Sequence, residues 1–253
     1  MQVNDQAAAY AATWERLASA PQLAWHRADF QAWSAGYSTH ALLLLRLEPA
    51  VARAVGEVQE VLQGLDGVEL HPPEFLHITV QSLGFLVAGA CSPSHGELHT
   101  GELEGVIDAL ASALSRSPAF SITIGAPNSF ASAAFLEVDS QGALSRLRTT
   151  LRGALGVPPE TLLVHRIAAE LRSTHPTLTA RIDPYESGFI FHLSVAYYGR
   201  GARVLPVRTA LAQGRRMARP IRMSVREVDL VRVATAQRVA FPPLETLARF
   251  QLR

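Results

Sequence analysis

Two short patterns in this 253-residue chain place side chains that could move protons. His77-Ile78-Thr79 sits in the apolar run Phe75 to Val80, and His192-Leu193-Ser194 sits in the run Ile190 to Val195. On an extended strand, successive side chains point to opposite faces. His77 and Thr79 therefore share a face, as do His192 and Ser194, while Ile78 and Leu193 point into a core. Imidazole takes or gives a proton near neutral pH, its unperturbed pKa being about 6.5. A hydroxyl one pleat along can donate a hydrogen bond to an oxygen that gains charge in a transition state. An enzyme that needs one base, one acid and such donors could draw all of them from two copies of the pattern.

The pattern alone is weak evidence. Three of the nine histidines have Ser or Thr two positions on, the third being His175-Pro176-Thr177. Its proline and polar neighbours exclude it from a central strand. A single buried histidine bonded to a carbonyl is an ordinary core feature. Two copies in matching apolar runs favour chemistry instead. A competing cluster, Cys91, His95, Glu97 and His99, has Cys-x3-His-x3-His spacing. A small-residue loop with no partner cysteine is a poor zinc scaffold, so no metal or other cofactor is expected.

The elements that must position these residues read in order as follows. A helix is predicted over about 5–19, then an irregular stretch holding Trp25 and Trp33, then a buried strand at 41–47. Val51, Val55, Val58 and Leu62 recur at helical spacing up to Gly64, and Gly84 is taken as the end of the first histidine strand. A turn-rich loop at 86–99 and a helix at 103–114 follow. Phe120 to Ile124 and Ala133 to Val138 then form a hairpin, and a helix carries Leu144, Leu147, Leu151 and Leu155. A further helix is expected at 160–172 before the second histidine strand, with another at 204–216 and a bulged strand or two strands at 221–233. The fold class is α+β, with a weak internal duplication centred on the two histidine strands.

With 48% hydrophobic and 18% charged residues, the composition suits a globular protein with a substantial core. No stretch reads as a membrane span. The N-terminus has no leader pattern and there is a single cysteine, so a cytoplasmic location is expected. Every basic residue is arginine, and from Arg200 onward twelve arginines face only three acids. That balance suits an anionic partner as well as it suits a solvated helix face.

The two histidine segments resemble the signature of the two-histidine (2H) phosphoesterase superfamily, which includes 2′-5′ RNA ligase-like proteins and 2′,3′-cyclic phosphodiesterases. The block His77-Ile78-Thr79-Val80-Gln81-Ser82-Leu83-Gly84 is especially similar. His192-Leu193-Ser194-Val195-Ala196-Tyr197 keeps the core motif with Ser for the commoner Thr, and Tyr197 stands where many members carry a substrate-anchoring arginine. The resemblance implies a bilobal fold, two pseudo-symmetric lobes of antiparallel sheet with flanking helices and a central cleft. Residues 41–253 would form that domain, behind an N-terminal helical extension at 1–40.

It further implies metal-independent hydrolysis of 2′,3′-cyclic phosphates, on RNA ends or nucleotides, to 2′-phosphates. His192 would be the general base and His77 the general acid, with Thr79 and Ser194 binding phosphate oxygens. Gln81, read as sharing the face of His77, and Tyr197, near the end of its strand, are candidate substrate contacts. A 2′-5′ phosphodiesterase or RNA 3′-end processing enzyme would use the same residues, and a non-catalytic RNA-end or nucleotide-binding module is the reading from another class. The expected partner is an RNA 3′ end or a cyclic nucleotide, and the expected state a monomer away from membranes.

Overall fold

In the computed structural model, residues 3–34, 36–89, 97–155, 189–235 and 241–253 are described. Among the described residues ten strands form one curled, almost wholly antiparallel sheet, flanked by six helices. The strands are β1 (Thr39–Arg46), β2 (Val68–Leu70), β3 (His77–Val87), β4 (Glu97–His99), β5 (Phe120–Ser129), β6 (Ala133–Asp139), β7 (His192–Tyr198), β8 (Ile221–Val225), β9 (Glu227–Ala234) and β10 (Leu244–Gln251). The helices are α1 (Val3–Ser19), α2 (His26–Ser34), α3 (Pro49–Gln59), α4 (Leu103–Leu114), α5 (Ala143–Ala154) and α6 (Val204–Met217).

The order β10-β9-β1-β3-β7-β6-β5-β8 divides into two four-strand halves that meet at β3 and β7. In each half a strand and a helix precede a histidine strand that pairs antiparallel with the first strand. These are β1, α3 and β3 in one half and β6, α5 and β7 in the other. The duplication in the sequence is therefore a duplication of architecture, and the α+β fold with two pseudo-symmetric halves is as expected.

Strand β1 shows why the sheet is buried on both faces. Leu43 and Leu45 join the main core with α3, α4 and α5, which supply Val51, Val55, Leu110, Leu114, Leu144, Leu147 and Leu151. Leu42 and Leu44 pack on the other side, with Val231 and Val233 of β9. A continuous apolar run is what a strand covered on both faces requires. At roughly 25 cal/mol per Å2 of apolar surface, these leucines are a leading stabilising contribution.

Several elements depart from the sequence reading. Trp25 and Trp33 flank or occupy a helix, α2, where an irregular stretch was expected. Gly84 does not end its strand. It adopts φ +128°, a conformation open to glycine, and the irregular register beside it lets β3 continue to Val87, where β4 pairs in parallel. The region 221–233, by contrast, takes one of its two expected forms, two strands, β8 and β9. Cys91, His95 and His175, and the helix expected at 160–172, lie outside the described residues. Among the described residues no helix is long and apolar enough to cross a membrane.

Candidate active site

Strands β3 and β7 share one paired position, Ile78 with Leu193, both fully buried. Beyond it they part: β3 continues along β1, while the far half of β7 pairs with β2. Each strand begins at the crossing and runs away from the other. Antiparallel register then sets His77 across from Ser194 and Thr79 across from His192, all on one face. The histidines are diagonal neighbours, a relation that separates strand positions by roughly 7–8 Å. Two imidazoles and two hydroxyls thus line the seam between the halves.

The imidazoles are held alike. His77 Nδ1 donates to the Phe75 carbonyl at 2.7 Å, and His192 Nδ1 donates to the Ile190 carbonyl at 2.8 Å. A carbonyl can only accept, so each Nδ1 carries the proton and each neutral ring keeps Nε2 bare as a base. A phenylalanine edge packs near each ring, Phe75 against His77 at 5.4 Å and Phe130 against His192 at 4.8 Å. Burial, opposed in part by the Ile190 carbonyl and reinforced by His77, lowers the His192 pKa to about 4. Burial likewise lowers His77, partly offset by the Phe75 carbonyl and reinforced by Arg46. Both rings therefore rest neutral at pH 7, and an anion between them would favour a proton on either.

Gln81 is not where alternation from His77 puts it. The β1–β3 register shifts between Leu43 and Leu44, so that Thr79 aligns with Leu44 but Gln81 aligns with Leu43. The extra residue turns Gln81 toward the helix side. There it is 4% exposed and its Oε1 accepts a hydrogen bond from Arg148 Nε of α5 at 3.0 Å. Ser82 takes the face of His77 instead, its hydroxyl 2.8 Å from His40 Nε2. Strand β7 repeats the device. Its register with β6 shifts between Ala134 and Phe135, Val195 and Ala196 both enter the core, and Tyr197 emerges five positions after His192, as Ser82 does after His77. A bulge at the same place in each copy makes the fifth residue after histidine, and not the fourth, its neighbour in the cleft.

Tyr197 does reach the cleft, but His26 of α2 lies flat on its ring, with centroids 3.5 Å apart and planes 7° apart. Phe241 lies near-parallel at 5.8 Å. Three further neighbours escaped the sequence reading. Arg46 is paired with His77 across β1 and β3 and bonds the Asp229 carboxylate at 2.8 Å, with Arg249 on that carboxylate's other oxygen. Burial alone would raise the Asp229 pKa, but the hydrogen bonds from Arg249 and Arg46 outweigh it and hold it below the usual range. His71 is 2% exposed among Phe75, Tyr197 and Phe241, and among the described residues neither ring nitrogen has a hydrogen-bond partner. Burial, reinforced by His77 and His26, keeps it neutral. The third is the α2 segment itself. Of these, His71, two residues before a Pro-Glu-Phe-Leu-His run, had a local signal in the sequence, and so did the α2 segment through Trp25 and Trp33, which could stack on a base but read more readily as packing.

Paired imidazoles and hydroxyls at the seam of a duplicated sheet define the two-histidine class of phosphoester-handling folds. The profile of the 2′-5′ RNA ligase superfamily matches residues 47–237, and the chain belongs to that superfamily. Its members handle phosphodiester bonds, and this chain is placed among such enzymes. A search of curated proteins returned no match. Among solved structures the fold is similar to that of TT0787 of Thermus thermophilus, at 19% identity and TM-score 0.54 over 85% of this chain and 98% of that one. It is also similar to E. coli LigT complexed with 3′-AMP, at 12% identity and TM-score 0.52 over 86% and 99%. LigT complexed with NADP+ matches at 13% identity and TM-score 0.52 over 85% and 98%.

Proposed function

We propose that the protein hydrolyses 2′,3′-cyclic phosphates, at RNA ends or on nucleotides, to 2′-phosphates, using His77 and His192 as its acid–base pair. The observation that carries this reading is the matched tautomer. On two adjoining strands each Nδ1 is tied to the carbonyl two residues back, so both bare Nε2 atoms belong to the same face. His192 Nε2 accepts a proton from water as the water oxygen bonds to phosphorus. His77, protonated at Nε2, gives its proton to O3′ as the P–O3′ bond breaks, leaving a 2′-phosphate and a 3′-hydroxyl. Thr79 and Ser194 donate to the non-bridging oxygens, where charge builds. The solved LigT complexes with 3′-AMP and NADP+ are consistent with a nucleotide as the substrate's other part.

The test is incubation with 2′,3′-cyclic mononucleotides, linear 2′-5′ dinucleotides and cyclic-phosphate-ended RNA, with products resolved by chromatography. Consumption of the cyclic esters to 2′-phosphates, abolished by His77→Ala, is the expected result. Cleavage of the 2′-5′ dinucleotide alone would move the assignment to the linear bond. Wild-type turnover in the His77→Ala variant would remove His77 from the reaction.

A further inference from the structure

A cavity of about 420 Å3 opens beside His77, and much of its wall comes from α2 and the turn after it. That volume lies within the roughly 300–1,000 Å3 range of small-molecule sites. Phe30, Trp33 and Tyr37 line one side, and His40, Phe75 and His77 line the sheet side. Phe30 and Trp33 lie with centroids 5.4 Å apart, and Trp33 packs against His40 and Phe85, each with its centroid 4.8 Å away. His77 is the member of the acid–base pair that belongs to this wall. The cavity therefore adjoins the seam at His77.

Aromatic walls with a few polar edges suit a flat, polarisable ring, and base–aromatic stacking is tolerant of base identity. The segment that supplies much of the wall precedes residues 47–237, the part matched by the superfamily profile. It is not a loose attachment. His26 stacks on Tyr197, the Arg200 guanidinium lies 4.3 Å over Trp25, and Leu17 of the preceding helix belongs to the main core.

We propose that this cavity is a nucleobase site built by the N-terminal segment, holding the base of the nucleotide whose phosphate is cleaved. The proposal rests on the acid–base reading above, and it makes the enzyme selective for base-bearing cyclic phosphates over simple alkyl ones. The base docks between α2 and the sheet, so its stacking energy is realised in binding, and KM rather than kcat carries the discrimination.

The test compares 2′,3′-cyclic AMP with glycerol 1,2-cyclic phosphate on the wild type and on two variants. Trp33→Ala removes part of the aromatic wall. Gln31→Trp fills the cavity from an exposed position that lines it, so it removes no buried packing if Trp33→Ala fails to fold. The wild type is expected to prefer the nucleotide in kcat/KM by about tenfold or more. Gln31→Trp should erase most of that preference through KM. A wild type indifferent to the base, or a Gln31→Trp variant with the full preference, overturns the nucleobase site. Adenosine binding, followed by quenching of tryptophan fluorescence, decides the matter apart from turnover. If neither ester is cleaved but adenosine binds the wild type and not Gln31→Trp, the cavity assignment stands and the acid–base reading fails. No adenosine binding to the wild type at millimolar concentration removes the site.

Discussion

Two neutral imidazoles facing one space constrain how activity must respond to pH. The proposed reaction needs one proton on the pair, and burial disfavours that proton, with the His192 pKa lowered to about 4 and His77 lowered as well. As pH rises above these values the singly protonated pair becomes scarce, so kcat/KM is expected to peak on the acid side of 6.5 and to fall toward neutrality. Bound phosphate carries negative charge and stabilises an imidazolium, so kcat should peak at higher pH than kcat/KM. The two limbs belong to the pair rather than to either ring. Initial-rate profiles from pH 4 to 9 check this, and a kcat/KM optimum at pH 8 or above would contradict it. His77→Ala and His192→Ala should each lose about 10²–10⁴ in kcat with circular dichroism unchanged. Thr79→Val and Ser194→Ala, each removing one donor to charge, should lose about tenfold to a hundredfold or more.

At the scale of the element, the bulge in each histidine strand separates residues that face the cleft from residues that support the fold. Gln81 accepts from Arg148, which stacks over Phe189 at 4.0 Å and whose pKa burial lowers to about 10. Gln81→Ala would leave a half-buried guanidinium short of an acceptor, at about 1–3 kcal/mol of stability. Urea unfolding should register that loss while KM stays near the wild-type value, whereas a large KM change with no loss of stability would put Gln81 back in the cleft. Helix α1 has a comparable supporting role. The Tyr10 hydroxyl donates to the Phe191 carbonyl, beside His192, and accepts from the Val138 amide at 2.8 Å. Tyr10→Phe strands those buried backbone groups at the start of β7, so it should cost about 1–3 kcal/mol in the same assay.

The molecule as a whole gathers neutral histidines. His26 and His192 are lowered to about 4 and His40 to about 3, each by burial first, and His71 and His77 are lowered in the same direction. Each binds its proton more readily when unfolded, so stability is full above pH 6.5 and declines as the pH falls toward 4 and 3. Unfolding free energy should drop by at least about 2 kcal/mol between pH 7 and pH 5, measured by urea titration, and a flat profile would show that these rings are wetter than their burial implies. Much of this was legible beforehand. Alternation from His77 to Val80 and from His192 to Val195 determined two strands, the faces of His77, Thr79, His192 and Ser194, and the apolar backs that bury Ile78 and Leu193, because side-chain direction on a strand is a local property with period two. The apolar residues before each histidine read as strand too, but Phe75 closes a short 3-10 turn and both strands begin at the histidines. The fate of Gln81, the approach of Arg46 and His71, and the aromatic wall of α2 were decided only by tertiary structure. Register shifts, a single shared position between β3 and β7, and the docking of His26 on Tyr197 are contacts between residues tens to hundreds of positions apart. Such contacts depend on how the sheet closes around its core, which no periodicity within one segment encodes.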